Sequence, residues 1–115
     1  GDNTVTLPND SGAIVFAPGG TTAVGGGTLA IPITHSHASK TTGGVEALTL
    51  ADGENGQLLT ITLAVDGGDG TLTPDHKTGY TNVVFDAAGD TVTLLYVDDV
   101  VGWVIVGQSN MTVTP

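Results

Sequence analysis

His35-Ser36-His37 is the pair whose spacing most directly suggests chemistry. On a strand, side chains at i and i+2 leave the same face, so both imidazoles can approach one point and act as nitrogen ligands to a transition metal. His35 and His37 are therefore the candidate metal ligands. They also continue the parity of Leu29, Ile31 and Ile33, and the preferred reading places them at the rim of a core face or of a subunit interface. Asp66-Gly-Gly-Asp-Gly70 gathers carboxylates and carbonyls suited to a hard cation, but it lacks the acids at set spacings and the closing Glu of an EF-hand loop. It reads as a turn carrying solvated charge, as does Asp98-Asp99. Ser11, Ser36, Ser39 and Ser109 stand in no Gly-x-Ser-x-Gly context for an activated nucleophile. The Gly-rich stretch 19–27 lacks the Lys-Ser/Thr ending of a phosphate loop. Two carboxyls facing across a cleft, the requirement of a glycosidase, find little room in a chain this short. The reading is of a non-enzyme with no cofactor.

Composition narrows the partners. At 115 residues the chain makes one domain, and twelve acids against two bases, Lys40 and Lys77, give a formal charge of −10. With so little Lys and no Arg to displace counterions, a nucleic-acid partner is not expected. There is no cysteine, which removes disulfides and thiolate metal sites. No apolar run approaches a membrane-spanning length, so no membrane partner is expected either.

The elements that would position these residues are strands. Residues 1–27 read as an arm: one apolar run, Ala13-Ile-Val-Phe-Ala17, followed by a tether, Pro18 to Gly27, holding five glycines. Residues 28–115 read as the body. Leu29, Ile31 and Ile33 share one face of an edge strand that Pro32 keeps from central pairing. Further runs follow at residues 45–50, 58–65, 71–73, 81–85, 91–96 and 101–106, and 111–113 closes the series. Between them lie Gly/Asp turns. Val92, Leu94 and Tyr96 alternate with Thr91, Thr93 and Leu95, and Trp103 shares parity with Val101 and Ile105. Leu94, Tyr96 and Trp103 are thus the expected core, although a lone Trp could also stack a sugar. The predicted class is all-β: an antiparallel β-sandwich, jelly roll or small barrel with an extended N-terminal arm.

Four pieces form an ensemble: Asp52-Gly-Glu-Asn-Gly-Gln57, Thr71-Leu-Thr-Pro74, Gly89-Asp-Thr-Val-Thr-Leu-Leu-Tyr96 and Trp103-Val-Ile-Val-Gly107. Across roughly residues 45–107 this resembles the small β domains of tailed-bacteriophage virions, found in capsid decoration (cement) proteins and in tail fibres or spikes, usually as trimers. Some phage fibre and spike tips hold iron with His-x-His pairs on a trimer axis, the setting in which His35 and His37 would bind metal. The resemblance implies a decoration protein on the outer surface of the capsid. It would form a homotrimer, bind the major capsid protein and stabilise the head. Its arm would add a strand to a capsid sheet through Ile14, Val15 and Phe16. The alternative it implies is a receptor- or carbohydrate-binding domain of a tail fibre or spike.

Overall fold

The computed structural model describes residues 20–115. These form nine strands: β1 (Thr21–Val24), β2 (His37–Thr41), β3 (Glu46–Leu50), β4 (Gln57–Val65), β5 (Gly70–Pro74), β6 (Asn82–Phe85), β7 (Thr91–Tyr96), β8 (Trp103–Ser109) and β9 (Thr112–Thr114). Two sheets result, one of five strands in the order β1-β2-β4-β7-β8 and one of four in the order β3-β5-β6-β9. One core joins them. Ile61 and Leu63 of β4 and Val92, Leu94 and Tyr96 of β7 meet Leu48, Leu50, Leu72, Val83 and Phe85 of the second sheet. Burial alternates from residue to residue along β4, β5, β6 and β7, as period-two strands with one face inward must. The fold is an all-β sandwich.

Both sheets are mixed, which corrects the expected antiparallel pairing. β1 pairs with β2, β2 with β4 and β3 with β5, all parallel. The cause is the path of the chain. From β2 to β5 each connection crosses to the opposite sheet and reverses direction, so strands two apart in sequence lie side by side and run the same way. Only β5–β6 and β7–β8 pair as antiparallel neighbours in sequence. A hairpin turn and a sheet-crossing turn draw on the same Gly and Asp residues, so composition does not distinguish them.

Two boundaries also differ from expectation. The Gly-rich stretch does not act as a tether to residue 27: Thr21–Val24 is hydrogen-bonded into the first sheet, and Val24 is buried. Thr and Val at these positions favour an extended chain strongly enough to outweigh the flanking glycines. The strand foreseen around Leu29–Ile33 reduces to one bridge between Ala30 and Thr49. Ile31 is buried, but Leu29 is exposed. The run Ile14, Val15 and Phe16 lies outside the described residues.

Among the close approaches that require glycine, two shape connections between strands. Gly102, at φ +74°, presses against the backbone of His76, and a Cβ at Gly67 would collide with the Thr42 carbonyl. The first closes the β7–β8 turn; the second packs the Asp66–Gly70 loop onto the connection between β2 and β3.

Candidate functional site

A cleft of about 620 Å³ opens at one end of the first sheet, where the segment before β2 meets the turn before β4. Ile33, Thr34, His35 and Ser36 form one wall; Glu54, Gly56, Gln57 and Leu58 form the other. Gln57 holds the walls together, its Nε2 donating to the Ile33 carbonyl (2.8 Å) and its Oε1 accepting from the Glu54 N–H (2.8 Å). The cleft thus combines an apolar lining with His35 and Glu54 as ionisable groups.

His35 and His37 do not both belong to a strand. β2 begins at His37, and His35 sits in the preceding bend, so the period-two argument does not carry across the pair. His35 Nδ1 lies 2.9 Å from Thr34 Oγ1. Both nitrogens of His37 are engaged: Nδ1 is 3.0 Å from Thr21 Oγ1, and Nε2 is 2.9 Å from Thr62 Oγ1. The row continues through Thr91 Oγ1, 3.2 Å from Thr62 Oγ1 and 2.9 Å from the Gly89 carbonyl. A hydroxyl has one proton. Thr91 donates to Thr62 and shares that proton with the Gly89 carbonyl, and in either neutral tautomer one His37 nitrogen donates to its threonine while the other accepts. Both His37 nitrogens are thus engaged, and neither is left free for a metal. Among the described residues no group of three or more His, Asp or Glu side chains is placed to hold a metal ion.

Asp66 Oδ1 accepts from Gly68 N–H within its own turn. Asp98 Oδ1 accepts from Val100 and Val101 N–H. Asp99 takes the Tyr96 hydroxyl at 2.6 Å, and this bond, with burial, pushes the phenol's pKa upward. Asp90 is buried. Burial opposes its charge, but hydrogen bonds from Asp86 N–H, Asn110 Nδ2 and Ala87 N–H outweigh that penalty and hold its pKa below the ordinary carboxylate value.

Leu94, Tyr96 and Trp103 are fully buried. Trp103 packs edge-on to Tyr96 with ring centroids 5.2 Å apart, and its Nε1–H donates to the Ala51 carbonyl at 2.9 Å. Its own carbonyl accepts the buried Tyr80 hydroxyl at 3.1 Å. Desolvation raises the Tyr80 pKa to about 12. Among the described residues no aromatic side chain is exposed, so the indole is not available to stack on a sugar.

The sequence reading missed a buried ion pair. Lys40 is 0% exposed, and its Nζ lies 2.8 Å from Glu46 Oε1 while donating to the carbonyls of Gly25 (2.9 Å) and Thr28 (2.6 Å). Glu46 Oε2 accepts from Gly27 N–H (2.9 Å) and Gly43 N–H (2.7 Å). The pair fastens the β1–β2 connection to the first residue of β3, clamping one sheet to the other. Its signal was available: Lys40 shares strand parity with Ala38, an inward position, and is one of only two bases.

The hydrogen bond from Lys40, then those from Gly43 and Gly27, lower the Glu46 pKa from 4.5 to about 2. Because the folded value lies below the unfolded one, the stabilisation is present in full above about pH 4.5 and is lost as pH falls towards 2. Thermal melts between pH 7 and pH 2.5 should show Tm falling through this window. Glu46→Gln should be less stable at neutral pH and should flatten that part of the profile; an unchanged acid limb would count against the assignment.

No protein-family model matches the chain, and no curated protein matches it in sequence.

Proposed function

We propose that the chain is a capsid decoration protein of a tailed phage, bound as a homotrimer to the major capsid protein on the outer surface of the virion. The sequence ensemble over residues 45–107 suggests the family. The observation that carries the choice within it is the burial of every described aromatic, Trp103 above all. A body without an exposed aromatic platform and with a formal charge of −10 suits contact with other proteins better than stacking on sugars or binding phosphate backbones. It acts by covering joints between capsid subunits and has no catalytic role. Ile14, Val15 and Phe16 would supply the docking strand, with affinity drawn from main-chain hydrogen bonds.

The test is whether the protein copurifies with intact virions at a copy number near that of the capsid protein. Deleting residues 1–19 should abolish capsid binding and leave the body folded. Ending the deletion there spares the Gly20 carbonyl, which accepts from His37 N–H and Ser36 Oγ. Retained binding would sink the docking role of the arm.

The cleft beside His35 and Glu54 favours one second reading, a receptor-binding domain of a tail fibre, in which these side chains and Gln57 would hydrogen-bond a glycan. That reading predicts a copy number near that of a tail component and loss of glycan binding in Glu54→Ala.

A further inference from the structure

Apart from Glu46, which is buried against Lys40, the acids of the described residues are gathered at the two ends of the sandwich. Asp52, Glu54, Asp75, Asp98 and Asp99 lie in the connections at the end where β4 begins; Asp66, Asp69, Asp86 and Asp90 lie in those where it finishes. The five strands of the first sheet contain no Asp or Glu, and their one base, Lys40, is buried inward. The outward face of that sheet is therefore uncharged in a strongly acidic protein.

The face is also ordered in rows. The registers set Leu58, Leu95 and Val104 side by side across β4, β7 and β8, with Leu58 56% exposed. The next row holds Thr60 and Thr93, whose hydroxyls are 3.0 Å apart. Beyond it, Thr62 and Thr91 belong to the chain of hydrogen bonds that runs through His37 to Thr21. These hydroxyls meet part of one another's hydrogen-bonding capacity within the face, so drying it costs less than its composition suggests. On the four-stranded sheet the outward residues Ala47, Thr49, Thr71, Thr73, Asn82 and Val84 are likewise uncharged, but the threonines among them form no such mutual hydrogen bonds among the described residues. That second face has more to lose on desolvation.

We propose that the outward face of the five-stranded sheet is the surface through which copies of this chain pack against one another. A second copy is as acidic as the first, so approach through either end sets carboxylates against carboxylates, whereas this face brings none. A basic partner would be drawn to the ends instead. Around an axis parallel to the strands, the copies stack the Leu58–Leu95–Val104 row as an apolar layer, followed by two layers of hydroxyls. The free edge at β8 is a poorer site for joining copies, because the register skips Val106 between Ile105 and Gly107 and the bulge interrupts the ladder. The closed ring rests on the trimeric reading above; the choice of face rests on charge and hydrogen bonding alone.

The test is sedimentation velocity of the purified full chain over a concentration series, without capsids. A closed oligomer is expected. Leu58→Asp and Thr93→Asp each place a carboxylate on the face and should weaken association about tenfold or more. Thr73→Asp on the opposite sheet should leave it unchanged, with circular dichroism confirming that each variant is folded. Mixing Leu58→Asp with Leu58→Lys should restore the oligomer. A wild-type monomer throughout the series, folded face variants that keep the wild-type mass, or dissociation by Thr73→Asp alone would each overturn the proposal. Such a failure leaves capsid binding standing. Oligomers that survive but never join virions would remove the decoration reading instead and leave the face intact.

Discussion

Replacing Lys40 with Ala should lower Tm by roughly 10–20 °C, an effect on the scale of losing one member of a buried ion pair in a domain of this size. Three groups lose their partner at once. The Glu46 carboxylate is left facing the interior, and the carbonyls of Gly25 and Thr28 lose their donor. Nothing nearby can substitute, because Lys77 is the other base in the chain and is bridged to Trp103 at the opposite end of the sandwich. A double change separates charge from packing. Lys40→Met should be nearly as damaging as Lys40→Ala, since the stem is kept and the charge is not. Lys40→Met with Glu46→Leu should recover much of the loss, because an apolar pair no longer strands a carboxylate. If the double variant melts no higher than Lys40→Met, compensation of charge is not what the lysine supplies.

Trp103→Ala should cost about 3–5 kcal/mol in urea denaturation, the range for deleting a large aromatic from a closed core. Against a total of about 5–15 kcal/mol for a native domain, that places the variant at the edge of folding. The indole touches three parts of the fold: the Tyr96 ring, the Ala51 carbonyl and Gly53, where even a Cβ would meet the ring. A cavity there cannot collapse without moving the turn before β4. Trp103→Phe separates the contributions. It retains most of the apolar surface but leaves Ala51 without its donor, so a smaller loss of about 1–3 kcal/mol is expected. Should Trp103→Ala cost less than Trp103→Phe, the ring's packing has been overvalued.

The strand positions were readable because their alternation is strict. Val92, Leu94 and Tyr96 are buried while Thr91, Thr93 and Leu95 are part-exposed, and the same rule locates β4, β5 and β6. Partners were not readable. Whether β3 pairs with β2 or crosses to lie beside β5 depends on which face of the core the chain reaches next, and Gly-Asp turns serve both paths. Ile31 shows a different failure. Its parity with Leu29 suggested a strand, yet the segment makes one bridge, from Ala30 to Thr49, and Ile31 is buried while Leu29 stays out. The histidine pair failed at a boundary: period two holds only inside a strand, and β2 starts at His37. The ion pair was not legible in composition, which registers Lys40 only as one of two bases and not where it lies. Its burial depends on Glu46 being opposite, a long-range fact about the two sheets.

The weaving of β2, β3, β4 and β5 between the sheets constrains how the protein reaches its native state. Neither sheet can be completed while the other waits, because each parallel neighbour arrives only after the chain has visited the far side. Among the described residues local hairpins exist only at β5–β6 and β7–β8, and they are the natural nuclei. The remaining pairings require long loops to close first, which places folding in the slow, millisecond-to-second range of proteins dominated by non-local pairing. A chain cut between β3 and β4, or between β4 and β5, would leave strands of both sheets on each fragment and neither sheet whole. Such a body is expected to assemble in one cooperative step or not at all.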